Sequence, residues 1–256
     1  MLLAVDSGNT NTVFAVYDGD ECKGVWRCGT SPRRTADEYA VWLIDLMALE
    51  GLDREAVSAS IISSVVPEGN FNLTTLCKRY FKCVPLFIGE DDCDLGIEAL
   101  IDRPDQVGAD RLVNTVAVHG KYEGALIVID FGTATTFDVV DEDGNYCGGV
   151  ICPGINLSLD ALYMAAAQLP RVDIRATTRI IGKATIPAMQ SGIFWGYIGM
   201  IEGLVQRIGQ EFGAKMIVVA TGGLAPLFAE ATDVIDHVYP DMTLRGLVEV
   251  HKRNRR

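Results

Sequence analysis

The 256-residue chain reads as an α/β protein built twice, each half a mixed five-stranded sheet flanked by helices, with a cleft between the halves. Three observations predict this. A strand–turn–strand opening, "LLAVDSGNTNTVFAVYD" (2–18), returns half a chain later as "LIVIDFGTATTFDVVD" (126–141). In both copies an apolar run ends on a carboxylate, Asp6 or Asp130, and Gly8 matches Gly132 as Thr12 matches Thr136. The elements that follow keep one order, βββ then αβαβ, with one more helix closing the second half. A repeat this long excludes a solenoid, whose periods are ~20–50 residues. The halves are expected at 1–119 and 120–256.

The elements follow from local signals. Residues 2–5 and 12–18 are apolar strands around the first turn, "DGDE" (18–21) is a hairpin turn, and "KGVWRCGT" (23–30) is a third strand. "TADEYAVWLIDLMALEG" (35–51) reads as a helix, with Thr35 and Glu38 spaced as a capping box and Gly51 closing it. A strand at 58–67, a helix at 72–81 and a strand at 84–89 complete the first half. "PDQVGADRLVNTVA" (104–117) places Asp110 near the start of a further helix. After the second set of three strands come a long helix (186–212), a strand (215–221), a helix (223–231), a short strand (234–238) and a last helix (242–253).

The totals narrow the partners. A formal charge of −12 argues against nucleic acid or an anionic membrane as the main partner, while leaving room for a small anion held by a local loop. The seven cysteines include no C-x-x-C and no zinc spacing, which reads as free thiols in a reducing cytosol. His119, His237 and His251 have no metal spacing and read as structural or surface groups. "HKRNRR" (251–256) reads as a basic helix end. No apolar run approaches the ~20 residues of a membrane helix, and a cytoplasmic protein is expected.

The two turns carry the chemistry. Gly8 and Gly132 let the backbone turn tightly, and successive N–H groups there form a nest for an anion. Asn9, Thr10 and Thr12, with Thr133, Thr135 and Thr136, add uncharged donors. Neither turn has the lysine of a P-loop, and no G-x-G-x-x-G follows the first strand. Asp6 and Asp130 would repel phosphate unless a hard cation sits between. An ordinary Asx-type hairpin is the alternative for either turn alone. Gly222 and Gly223, between a strand and a helix, offer a third close approach of backbone to a ligand. Asp110, in a first helical turn, reads on its own as a cap, in its ionised form.

In order along essentially the whole chain stand "DSGNTNT" (6–12), "GADR" (108–111), "DFGTATTFD" (130–138), "GGVICPG" (148–154), "AMQSG" (188–192), "ATGGLA" (220–225) and "TLRGL" (243–247). The chain resembles the superfamily of actin, sugar kinases and Hsp70 ATPase domains, with duplicated ribonuclease H-like domains, and within it the type III pantothenate kinase family. The resemblance implies phosphorylation of pantothenate by ATP to 4'-phosphopantothenate, the first step of coenzyme A biosynthesis. It implies that Asp6, Ser7, Gly8, Asn9, Thr10, Asn11, Thr12 and Val13 form the first ATP-phosphate loop, that Thr133 touches ATP, and that Gly222 and Gly223 lie at the nucleotide. By the same resemblance Asp110 accepts the proton of the attacking alcohol, and Gly108, Ala109, Asp110, Arg111 and Thr185 bind pantothenate. Asp130 would bind potassium or ammonium, Mg²⁺ would accompany ATP, and the protein would be a homodimer.

Two positions depart from the family pattern. Ile101 stands where a tyrosine contacting pantothenate is common, and Ala184-Thr185 stands where Asn-Thr is usual. Four glycines, 192, 196, 199 and 203, share one face of the long helix, which points to close packing there, within one chain or at a dimer interface. The competing readings are a polyphosphate hydrolase and a non-catalytic nucleotide-binding regulator on the same fold. The first lacks a dedicated water-positioning glutamate; the second is disfavoured because Asp6, Asp110 and Asp130 are all present.

Overall fold

The computed structural model describes residues 1–165 and 169–255; Arg256 of the basic tail lies outside the described residues. In chain order its elements begin with β1 (Leu2–Ser7), β2 (Asn11–Asp18), β3 (Glu21–Gly29), α1 (Ala36–Leu49), β4 (Ala59–Ser64), α2 (Asn70–Tyr80), β5 (Pro85–Phe87) and α3 (Ala109–His119). They continue with β6 (Leu126–Phe131), β7 (Ala134–Val140), β8 (Tyr146–Pro153), α4 (Ile155–Ala165), α5 (Thr185–Phe212), β9 (Ile217–Gly222), α6 (Ala225–Ala229), β10 (His237–Val238) and α7 (Met242–Arg253). Contacts divide the chain into two units.

The first unit holds Met1–Glu98, Asp102–Gly120 and the segment from Asp241 onward. Its sheet runs β3-β2-β1-β4-β5, with β1 antiparallel to β2 and parallel to β4. Alternation along the strands sorts the core into two layers. Leu3, Val5, Phe14 and Ile62 face α1 and α2, packing with Leu43 and Leu73. Leu2, Ala4, Tyr17 and Ile61 face α3 and α7, packing with Val113, Leu247 and Val248. The expected capping box of α1 is present: Glu38 N–H donates to Thr35 Oγ1, and Thr35 N–H donates to the Glu38 carboxylate.

The single boundary expected at 119/120 differs from this division. The segment 99–101 joins the second unit, where Leu100 N–H donates to Tyr146 O at 2.8 Å, and α7 returns to the first. The physical reason for α7 is its apolar stripe. Leu244, Leu247 and Val248 complete the core over β1, and Gly246 lies so close to α3 that a Cβ would come within 2.3 Å of Val113 O.

The second unit holds Ala99–Ile101 and Lys121–Pro240. Its sheet runs β10-β9-β6-β7-β8, the first unit's order once β6 is set on β1. β6 is antiparallel to β7 and parallel to β9. Phe131, Phe194 and Tyr197 gather around Phe228, with ring centroids 4.9–5.8 Å apart. The unit thus repeats the first strand for strand. The second unit also holds a helix, α4, that local signals did not indicate.

Candidate active site

In the first unit the β1–β2 turn follows Asp6 and Ser7. Gly8 N–H donates to Asn11 O at 3.0 Å, which closes the turn. Asn9, Thr10 and Asn11 form its exposed tip, Asp6, Gly8 and Val13 are half-buried, and Ser7 and Thr12 are buried. Thr12 Oγ1 is 2.9 Å from Thr30 Oγ1, and Thr30 donates its hydroxyl to Gly8 O at 2.7 Å and its N–H to Thr10 O at 3.0 Å. Ser7 and Thr12 therefore lie beneath the turn and brace it, while the tip faces solvent. Thr30 was not among the expected residues. Nothing in its spacing singles it out, because β2–β3 pairing alone brings it to the turn.

The start of α3 lies at the same end of that sheet. Val65, just after β4, donates its N–H to Ser7 O at 3.0 Å, and its Cγ1 lies 3.6 Å from where a Cβ on Gly108 would stand. Asp110 folds back over Gly108, so that this same Cβ would come within 2.5 Å of Asp110 Oδ1. Arg111 N–H donates to Asp110 Oδ1 at 2.8 Å. Burial raises the Asp110 carboxyl above its ordinary value, with that N–H and the Arg111 charge opposing the rise. A carboxylate made more basic by burial, at a helix start that favours its ionised form, has the character of a general base. Asn114, one turn on, accepts a hydrogen bond from Thr243 at 2.8 Å, so the "TLRGL" segment fastens α7 to α3.

In the second unit the β6–β7 turn follows Asp130, which is half-buried, and Phe131; Gly132 and Thr133 are exposed. The register corrects one expected correspondence. Ser7 pairs with Thr12 across the first turn and Phe131 with Thr135 across the second, so Thr12 corresponds to Thr135, and Thr136 to Val13. The second turn holds residues 132–134 against 8–11 in the first, one residue fewer. Both corresponding threonines are buried, Thr12 to 0% and Thr135 to 1% exposure. Gly154, after β8, donates its N–H to Thr133 O at 3.1 Å; a Cβ there would stand 2.2 Å from that same oxygen. Gly222 pairs with Phe131 at the end of β9 and has φ +91°, and the exposed Gly223 follows.

The remaining expected residues also lie in the second unit. Ile101 is half-buried, its Cγ2 3.6 Å from the Cβ position on Gly148. Thr185 is exposed at the start of α5, and Ala184 caps that helix with no side-chain hydrogen bond, a function an asparagine could serve. Gln190 and Ser191 of "AMQSG" hold the preceding segment: Gln190 Oε1 accepts from Arg175 at 3.1 Å, and Ser191 donates to Ile180 O.

Among the described residues no group of three or more His, Cys, Asp or Glu could hold a metal ion alone. Each donor set taken by itself, Asp6 in the first unit or Asp130 in the second beside hydroxyls and turn amides, suits an ion that draws most of its ligands from phosphate and water, as divalent ions with nucleotides do.

A model of the type III pantothenate kinase family matches residues 2–207. The chain belongs to the type III pantothenate kinase family. Type III pantothenate kinases of Paramagnetospirillum magneticum and Rhodospirillum rubrum are each 67% identical over 254 residues, covering 99% of this chain and 98% and 99% of theirs. Among solved structures, a candidate 2-dehydro-3-deoxygalactonokinase from Sinorhizobium meliloti superposes with a TM-score of 0.63 at 15% identity, over 99% of this chain and 96% of that one. That likeness places the fold with actin-like sugar kinases of duplicated ribonuclease H-like domains. As a kinase family, the type III pantothenate kinases use ATP with a divalent metal. Among the described residues no helix is long and apolar enough to cross a membrane.

Proposed function

We propose that this chain transfers the γ-phosphoryl group of ATP to the alcohol of pantothenate, giving 4'-phosphopantothenate in the first step of coenzyme A biosynthesis. The observation that carries the reading is Asp110, held at the start of α3 over Gly108, in a chain that type III pantothenate kinases match over nearly its whole length. Asp110 takes the proton of the attacking alcohol, Gly108, Ala109 and Arg111 bind pantothenate, and Ile101 and Thr185 are assigned to the same substrate. The turn from Asp6 to Val13 holds ATP phosphates through its amides and the exposed Asn9, Thr10 and Asn11; Thr133, Gly222 and Gly223 are assigned to ATP as well. Mg²⁺, with Asp6 near it, neutralises developing phosphoryl charge when bound. Asp130 takes a monovalent cation, K⁺ or NH₄⁺.

The test is Asp110→Asn. It should lower kcat by ~10²–10⁴-fold, the range of a lost general base, and leave ATP binding in place. A variant with full turnover would sink the assignment. The same substitution has a signed effect on stability. The native pKa of Asp110 lies above its unfolded value, so its contribution is fully present below the unfolded pKa and is lost as pH rises through the folded one. Thermal melts should show Asp110→Asn more stable than wild type at neutral pH, with the advantage shrinking in acid.

The protein works as a cytoplasmic homodimer through the glycine face of α5. Among the described residues a Cβ at Gly192, Gly196 or Gly199 would meet nothing within 4 Å, which leaves that face of α5 open to a second copy. Leu157, Leu162 and Met164 of the neighbouring α4 are exposed in the same unit. Sedimentation should give a dimer that Gly196→Gln weakens; a wild-type monomer at micromolar concentration would refute the assembly.

A further inference from the structure

Ser63 Oγ, in β4, is buried and has no hydrogen-bond partner among the described residues, in a residue with 0% exposure. An unpaired buried hydroxyl has given up its water partners for none in return, so its place in a native chain needs a reason. Ser63 is the parallel register partner of Asp6, so both side chains leave the sheet on one face. That face packs against α3 and α7, because Ile61, Leu2 and Ala4, which alternate with the opposite layer, belong to that core. Two residues further on, Val65 touches both Ser7 and the Gly108 start of α3. Ser63 therefore occupies the strip of sheet between Asp6 and the first turn of the helix that carries Asp110. The second sheet repeats the arrangement: the parallel partner of Asp130 is Thr221, 3% exposed. Both copies set a buried hydroxyl residue beside the strand-end aspartate, although the flanking residues differ, Ser64-Val65 in one and Gly222-Gly223 in the other.

We propose that Ser63 is a positioning residue for the nucleotide: its hydroxyl donates, through one buried water, to the Asp6 carboxylate and keeps it turned toward the divalent ion that accompanies ATP. The inference rests on the kinase reading above. A buried water persists where it has two or more polar partners, and Ser63 and Asp6 supply them from adjacent strands. Ser63→Ala removes the donor, Ser63→Cys nearly preserves the shape with only a weak S–H donor, and Ser63→Thr keeps the hydroxyl on a residue suited to a strand.

The experiment is a calorimetric titration of wild type and the three variants with Mg·ATP in the absence of pantothenate, with thermal melts of the ligand-free proteins and steady-state kinetics alongside. The alanine and cysteine variants should bind Mg·ATP ~10-fold more weakly, the size of a lost hydrogen bond to a charged group, and the threonine variant should stay within about 3-fold of wild type. The KM for pantothenate should not move. Alanine and cysteine variants that bind like wild type overturn the inference, and so does an equal loss in all three, which marks a packing role. A wild-type protein that fails to bind Mg·ATP overturns the kinase reading, and this inference with it.

Discussion

The two strand-end turns share a residue pattern and a place in the sheet, yet they are fastened by different means. The β1–β2 turn is braced by hydroxyls, with Thr12 and Thr30 beneath it and Thr30 bonded to Gly8 O. The β6–β7 turn is held by backbone approaching backbone: Gly154 against Thr133 O, and Gly222 against Phe131 O, which a Cβ would meet at 2.6 Å. Duplication has preserved the position of the aspartate and the register of the strands while the support beneath each turn has diverged. The first support depends on polar atoms being present, the second on side-chain atoms being absent.

That contrast can be broken from either side. The largest effect should come from Gly222→Ala, which adds a backbone clash to a left-handed φ of +91° and should cost ~3 kcal/mol or more. A melting temperature unchanged by this substitution would remove the claim that the second turn depends on close backbone approach. A smaller effect is expected from Thr30→Val, which deletes the hydroxyl brace at nearly constant volume and should cost ~1–2 kcal/mol, with a raised KM for ATP as the turn loosens. A Thr30→Val protein as stable as wild type and with an unchanged KM would show that the first turn holds without its hydroxyls.

The repeat was legible because it is local. An apolar strand ending on Asp, a glycine turn and a second apolar strand are adjacent in sequence, and the sheet turns them into matched neighbours of β1 and β6. The GADR segment was legible as a helix start, but its geometry was not, since the turn of Asp110 back over Gly108, with Arg111 N–H donating to its carboxylate, depends on the folded backbone there. The correspondence of Thr12 with Thr135 depends on which turn is one residue shorter, and only the register shows it. α4 was not legible because Ile155, Leu157 and Leu159 alternate as in a strand and 161–165 run on without a polar break, so the segment carries no 3.6-residue stripe. Thr30 and Ser63 are ordinary strand hydroxyls until β2–β3 and β1–β4 pairing give them neighbours.

The return of α7 to the first unit has a consequence for synthesis. Leu2, Ala4, Tyr17, Ile61 and Val113 present one apolar layer that Leu244, Leu247 and Val248 complete. A ribosome makes ~5–20 residues per second, so this layer waits for the whole second unit to be translated before its cover arrives. The earlier-made half is thus the later one to finish, and a nascent chain stalled near residue 240 would bare the apolar face of the first unit to chaperones.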